Sequence, residues 1–163
     1  MSETKTLTVA PVGEREIVIT RTLAAPPRLV FEAWTTPALV RQWLGPRTWE
    51  MVECEIDLRE GGAWRYLMRG PDGVEMVMRG VYREVVAPER LVTTESYDDN
   101  WTGGETLVTT VFSEQRSGTV VTTTVRYSSA EARDAVLASG MERGMAEGFD
   151  RLDEVLATMK GKS

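Results

Sequence analysis

Between Glu16 and Leu23 the residues Ile17 and Ile19 alternate with charged or hydroxyl-bearing neighbours, and this period of two in a β-branched stretch predicts a strand. Pro26 and Pro27 stop it and suit the first turn of a helix, in which Leu29, Val30, Ala33 and Trp34 recur at helical spacing. Thr36-Pro37 repeats the device, with Thr36 as N-cap, and Gly45-Pro46 closes a second short helix after Trp43. From Thr48 to Tyr127, turn signals recur at strand spacing: Glu60-Gly61-Gly62, Gly70-Pro71-Asp72-Gly73, Ala87-Pro88-Glu89-Arg90, Trp101-Thr102-Gly103-Gly104 and Arg116-Ser117-Gly118. The connections are too short for crossover helices, so the six strands they separate must form an antiparallel meander. With the first strand this makes seven.

Ser128 and Glu131 have capping-box spacing, and no proline occurs from there to Met159, which predicts helix with a break near Ser139-Gly140. At about 100° per residue from Met141, the residues Met145, Gly148, Phe149, Leu152, Val155, Leu156 and Met159 fall within an arc of about 120°. Glu142, Arg143, Glu147, Asp150, Asp153 and Glu154 fall outside it. A long stripe of this kind needs a broad partner, and the sheet is the only one available.

The local text is more specific than the order of elements. Residues Arg21-Thr22-Leu23-Ala24-Ala25-Pro26-Pro27-Arg28-Leu29-Val30-Phe31-Glu32-Ala33-Trp34-Thr35-Thr36-Pro37 are followed by Trp43-Leu44-Gly45-Pro46 and by Glu55-Ile56-Asp57-Leu58-Arg59-Glu60-Gly61-Gly62-Ala63-Trp64. Then come Gly80-Val81-Tyr82-Arg83-Glu84-Val85 and Pro88-Glu89-Arg90-Leu91-Val92. Over about residues 15 to 158 the chain resembles bacterial single-domain proteins similar to the C-terminal domain of the activator of the heat-shock chaperone ATPase, within the SRPBCC (START-like) superfamily. The resemblance implies an α+β helix-grip fold of the birch-pollen-allergen type. In it a seven-stranded curved antiparallel sheet wraps around a long C-terminal helix, with two short helices after the first strand. Residues 1–14 are expected to be a loose lead-in and 15–160 one domain.

In such a fold inward side chains line a pocket or fill the core solidly, and both readings stand at this point. The candidate ligand-binding set is Trp34, Trp43, Trp64, Tyr66, Met68, Met76, Met78, Glu95, Tyr97, Phe112, Met141, Met145 and Phe149. Trp64, Tyr66 and Met68 share one face of their strand, as do Met76, Met78 and Gly80 on the next. Aromatic rings supply flat apolar walls and methionine adapts to irregular shapes, which suits a small hydrophobic or amphipathic ligand. Glu95 and Tyr97 share a face near the 98–105 loop and suit the orientation of a polar head group. Trp49 and Trp101 add to the aromatic concentration without entering the set. Gly140, Gly144 and Gly148 recur every fourth residue in a helix, where each costs about 1 kcal/mol relative to alanine, so either a neighbouring backbone or a ligand needs the room. Gly80 in mid-strand marks a bulge or a sharp bend.

Composition narrows the chemistry. The chain has 163 residues, 42% apolar and 27% charged, which fits one globular unit burying about 70% of its unfolded surface. Nineteen basic against 25 acidic residues leave a net charge of −6, with no basic excess for nucleic acid. No five consecutive residues are all apolar, so no membrane insertion is expected, and residues 1–19 lack the apolar run of a secretory signal. Cys54 is the only cysteine, which suits a reducing compartment, and the expected location is the cytoplasm. Histidine is absent, which removes Ser-His-Asp and Cys-His catalysis and His-ligated zinc.

Any chemistry falls to carboxylates, Tyr, Arg or water. Glu55, Asp57 and Arg59 alternate on one strand, with Arg65 beyond the turn: facing outward they form an ion-pair ladder, facing inward a carboxylate of raised pKa. Asp98, Asp99 and Glu105 lack the ligand pattern of a calcium loop and read as solvated; no cofactor or metal is expected. Three functions remain. The first is binding of a small apolar molecule; the second is a protein-interaction domain regulating a chaperone ATPase. The third is a polyketide cyclase-like or hydrolase-like enzyme using Glu55 or Glu95. Open strand edges allow a monomer or a homodimer.

Overall fold

A computed structural model describes residues 7–161. Its elements in chain order are β1 (Thr8–Val12), β2 (Glu16–Leu23), α1 (Pro27–Thr35), α2 (Pro37–Trp43), β3 (Glu50–Ile56), β4 (Ala63–Arg69), β5 (Glu75–Val86), β6 (Arg90–Tyr97), β7 (Thr106–Gln115), β8 (Gly118–Arg126), α3 (Ala130–Ala138) and α4 (Met141–Gly161). All strands join one antiparallel sheet in the order β1-β2-β8-β7-β6-β5-β4-β3. The meander of six strands is present as β3 to β8, and β2 returns to pair with β8. The fold is the α+β helix grip.

The strand count is eight, not seven. The additional strand, β1, occupies part of the stretch expected to be a loose lead-in and pairs with β2 from Thr8↔Thr20 to Val12↔Glu16. It is an edge strand exposed at four of its five residues, so no apolar period marks it in the sequence. The lead-in expectation for residues 1–6 lies outside the described residues.

Local rules account for the helices. Pro27 and Pro37 stand at or next to the first helical position, where a missing N–H costs nothing, although the Thr36 side chain makes no cap hydrogen bond. At α3 the cap is Ser129, whose Oγ accepts from the Ala132 N–H at 3.0 Å; Ser128 instead donates to the Gly103 carbonyl at 2.9 Å. The N-cap therefore lies one residue later than the Ser128–Glu131 spacing suggests, and with alanine at the third helical position no reciprocal capping-box bond forms. The expected break is present: Gly140 adopts φ +82°, a left-handed conformation favoured only by glycine, and α4 starts afresh.

The two halves of α4 do different jobs. Phe149, Leu152, Val155 and Leu156 are buried and pack against α1 and α2, each contributing about 1.5–3 kcal/mol by removal from water. Arg21, on the inward face of β2 and 1% exposed, ties this half down: its Nη2 donates to Asp153 Oδ2 at 2.7 Å and lies 3.4 Å from Asp150 Oδ1. Its guanidinium also sits 5.7 Å from the centre of the Phe149 ring. In the N-terminal half, Met141 and Met145 stay half-buried over open space.

Gly80 bends the sheet beneath that space. A Cβ there would lie 1.8 Å from the Thr94 carbonyl oxygen, so only glycine permits the approach of β5 to β6. Beside it the Val81 N–H leaves the ladder for Thr94 Oγ1 at 3.0 Å, and the register slips between Tyr82 and Glu84.

Candidate functional site

Period-two alternation on the curved strands delivers their inward side chains to a cavity of about 770 Å³ between the sheet and the N-terminal half of α4. Trp64, Tyr66 and Met68 come from β4, and Met76, Met78 and Tyr82 from β5. Leu91, Thr93, Glu95 and Tyr97 come from β6, while Val108, Thr110, Thr123 and Val125 floor it from β7 and β8. Facing them are Trp34 of α1, Val40 and Trp43 of α2, and Met141, Met145 and Phe149 of α4. The α2–β3 connection adds Leu44, Pro46 and Trp49, and the β6–β7 loop adds Trp101.

Cross-strand register arranges this wall in rows. Met68 stands opposite Met76, Tyr66 opposite Met78, and Met78 in turn opposite Tyr97. The Trp64 and Tyr66 rings lie 4.7 Å apart and the Tyr97 and Trp101 rings 5.2 Å apart, while Trp34 and Trp43 meet at 4.8 Å below α4. Trp43 is held by its indole N–H, which donates to the Ala33 carbonyl at 2.9 Å. Trp64, 5% exposed, has an indole N–H with no partner among the described residues, turned over Gly80.

Two acids line this apolar interior, Glu95 from β6 and Glu147 from α4, whose Oε1 accepts from the Arg47 N–H at 3.1 Å. Burial pushes the Glu95 carboxyl from its ordinary 4.5 up to about 7, and its remaining exposure is toward the cavity. No donor among the described residues engages the carboxyl; the nearby Thr106 hydroxyl donates instead to the Glu95 backbone carbonyl at 3.3 Å. Burial likewise raises Tyr66, Tyr82, Tyr97 and Tyr127, and the Glu95 charge adds to the rise at Tyr66, Tyr97 and Tyr127, placing those hydroxyls in its electrostatic range.

Twelve of the thirteen sequence-selected residues come together on this wall. Phe112 does not. It is 3% exposed on β7 and packs edge-on to Phe31 at 5.6 Å and Trp34 at 5.4 Å, because α1 covers that part of the sheet. Glu55, the other carboxylate considered for catalysis, is exposed on the outer face. There the ladder reading holds only in part: Arg65 pairs with Glu53 at 2.7 Å and not with Glu55, Asp57 pairs with Arg59 at 3.0 Å in the turn after β3, and Glu75 pairs with Arg69 at 2.8 Å. These solvated pairs contribute little each. Sequence reasoning missed Tyr82, Tyr127 and the threonines of the floor; Tyr82 follows the Gly80 bend, and alternating Thr and Val on β7 and β8 resembles any half-exposed strand.

The helix glycines serve packing against the α2–β3 connection. A Cβ on Gly144 would meet Pro46 Cγ at 3.3 Å, and one on Gly148 the Trp43 carbonyl oxygen at 3.4 Å. Both glycines also border the cavity. The acidic loop is occupied internally: Asp98 pairs with Arg79 at 2.6 Å and Asp99 accepts from the Trp101 N–H at 3.3 Å. Among the described residues no three His, Cys, Asp or Glu converge as a metal site, and no helix is long and apolar enough to cross a membrane.

A profile of the family described as Activator of Hsp90 ATPase homolog 1-like protein matches residues 24–157. The chain belongs to that family. A crystal structure of a Rhodobacter sphaeroides protein is similar over 94% of this chain and 99% of its own, at 37% identity and a TM-score of 0.89. A solution structure from Arthrobacter aurescens is 25% identical over 93% of this chain and 91% of its own, with a TM-score of 0.82. A crystal structure from Nitrosomonas europaea, at 24% identity and a TM-score of 0.82 over 93% and 99%, shares the fold. No curated protein matches the sequence. For this Hsp90-activator-like chain the family thus agrees with the helix grip that the elements build.

Proposed function

We propose that the protein binds a small hydrophobic or amphipathic molecule in the cavity between its curved sheet and α4, and does so in the cytoplasm. The observation that carries this reading is the cavity itself: about 770 Å³ of space walled by Trp, Tyr and Met from both layers, where a solid core would otherwise stand. That volume suits a drug-sized ligand, and the few polar groups on an apolar wall suit recognition by shape with one oriented end. Native mass spectrometry of freshly purified protein tests it. A bound species of defined mass that is lost on denaturation supports the reading. An apo mass, together with no shift of tryptophan emission across a panel of apolar probes, refutes it.

A second reading, regulation of a chaperone ATPase, is favoured by the family description alone. The measurement is the ATPase rate of Hsp90 with and without this chain. An unchanged rate removes it. A cyclase-like or hydrolase-like reaction would have to use Glu95, since Glu55 faces solvent.

A further inference from the structure

Glu95 and the unpartnered Trp64 indole N–H are the features of the cavity that an apolar ligand leaves unexplained, and Glu95 is the one that carries charge. Its carboxyl faces the interior and no donor among the described residues engages it; the register sets it in one row with Gly80 and Trp64, and Tyr66, Tyr97 and Tyr127 lie within its electrostatic range. Glu95 stands opposite Thr106, whose hydroxyl is spent on the Glu95 backbone carbonyl. Among the described lining residues the only cation is Arg143, exposed on α4. An anionic ligand would therefore meet a carboxylate and no buried counter-charge. A hydrocarbon would leave an acid desolvated without a partner.

We propose that the cavity selects a protonated amine carried on an apolar or aromatic body, with the ammonium on Glu95 among the rings of Trp64, Tyr66 and Tyr97. The proposal rests on the cavity-binding reading and specifies its ligand class. An ammonium supplies the donors that Glu95 lacks, forming charge-assisted hydrogen bonds where water is excluded. The electron-rich ring faces of Tyr and Trp attract the same charge. The remaining wall, Met and Trp, takes the apolar body.

Protonation gives the pairing a pH signature. The groups around Glu95 are the Tyr66, Tyr82, Tyr97 and Tyr127 hydroxyls, all raised above their ordinary value, and the Cys54 thiol behind Tyr66, raised to about 11. From α4, Arg143 and Glu147 border the cavity. With Glu95 at about 7, its ionised fraction grows roughly tenfold between about pH 6 and about pH 8. Amine affinity must grow by the same factor.

The test uses three probes with one naphthyl body: naphthylethylammonium, neutral ethylnaphthalene and naphthylacetate, titrated into the intact protein by calorimetry. The ammonium is expected to bind at least about tenfold tighter than either counterpart, and its affinity alone to rise about tenfold from about pH 6 to about pH 8. In E95Q the preference for the ammonium should fall to near unity. Equal affinities, or preference for the acid or the hydrocarbon, overturn the amine proposal while leaving cavity binding intact. Failure of all three probes to bind counts against both. The pH dependence of the wild-type protein decides the matter even if E95Q folds poorly.

Discussion

Replacing Glu95 by glutamine should change how stability depends on pH, with a size that follows from the cavity wall. In the unfolded chain the carboxyl titrates near its ordinary 4.5; in the fold, burial moves it to about 7. Between these values the native state holds a proton that the unfolded state has lost, so stability falls as pH rises. At about 1.4 kcal/mol per pH unit the full loss is about 3 kcal/mol. The carboxyl faces a space that admits water, which screens its charge and reduces the figure to about 1–3 kcal/mol. Glutamine keeps the shape and cannot titrate. Urea unfolding followed by far-UV circular dichroism, at steps from about pH 5 to about pH 8, should show wild type losing this amount relative to E95Q. Most of the change comes below about pH 7. Parallel profiles would refute the reasoning, since they would mean that bulk water reaches the carboxyl. A wild type that gains on E95Q with rising pH would mean a cationic partner already holds it.

Asp153→Ala should lower stability by about 3 kcal/mol, read as a drop in Tm, because Arg21 remains buried with only Asp150 at 3.4 Å. Gly80→Ala should cost more than about 2 kcal/mol, since its Cβ would press on the Thr94 carbonyl. Gly148→Ala, whose Cβ meets neighbours at ordinary contact distance of 3.4 Å, should be neutral or stabilising by up to about 1 kcal/mol in the same melts. Cys54, pushed up to about 11 chiefly by burial, should react with a disulfide reagent at about pH 8 roughly a hundredfold more slowly than a free thiol, followed by absorbance.

Much of this site was legible because strands report their faces in sequence. Trp64, Tyr66 and Met68 alternate on β4, and register alone then sets Met78 beside Tyr66 and Met76 beside Met68. What local sequence does not carry is whether the layer above a face is open or closed. Phe112 obeys the same alternation on β7 as Val108 and Thr110, yet α1 covers it and no cavity reaches it. Tyr82 keeps the phase of Met76 and Met78, since the register slips only after it, but the bend that Gly80 marks leaves the facing of the residues beyond it unread. β1 escaped because an edge strand exposed on both sides has no apolar period to read.

The division of α4 has a consequence for how such a protein diversifies. Its last turns hold the layers together through Leu152, Leu156 and the Arg21–Asp153 pair, whereas its first turns offer Met141 and Met145 to the cavity. Substitutions in the first turns alter what the cavity admits without touching the contacts that keep the chain folded. On the proposed cavity-binding function, new ligand preferences would be within reach of single mutations in these turns, and a lineage could explore them without losing the scaffold.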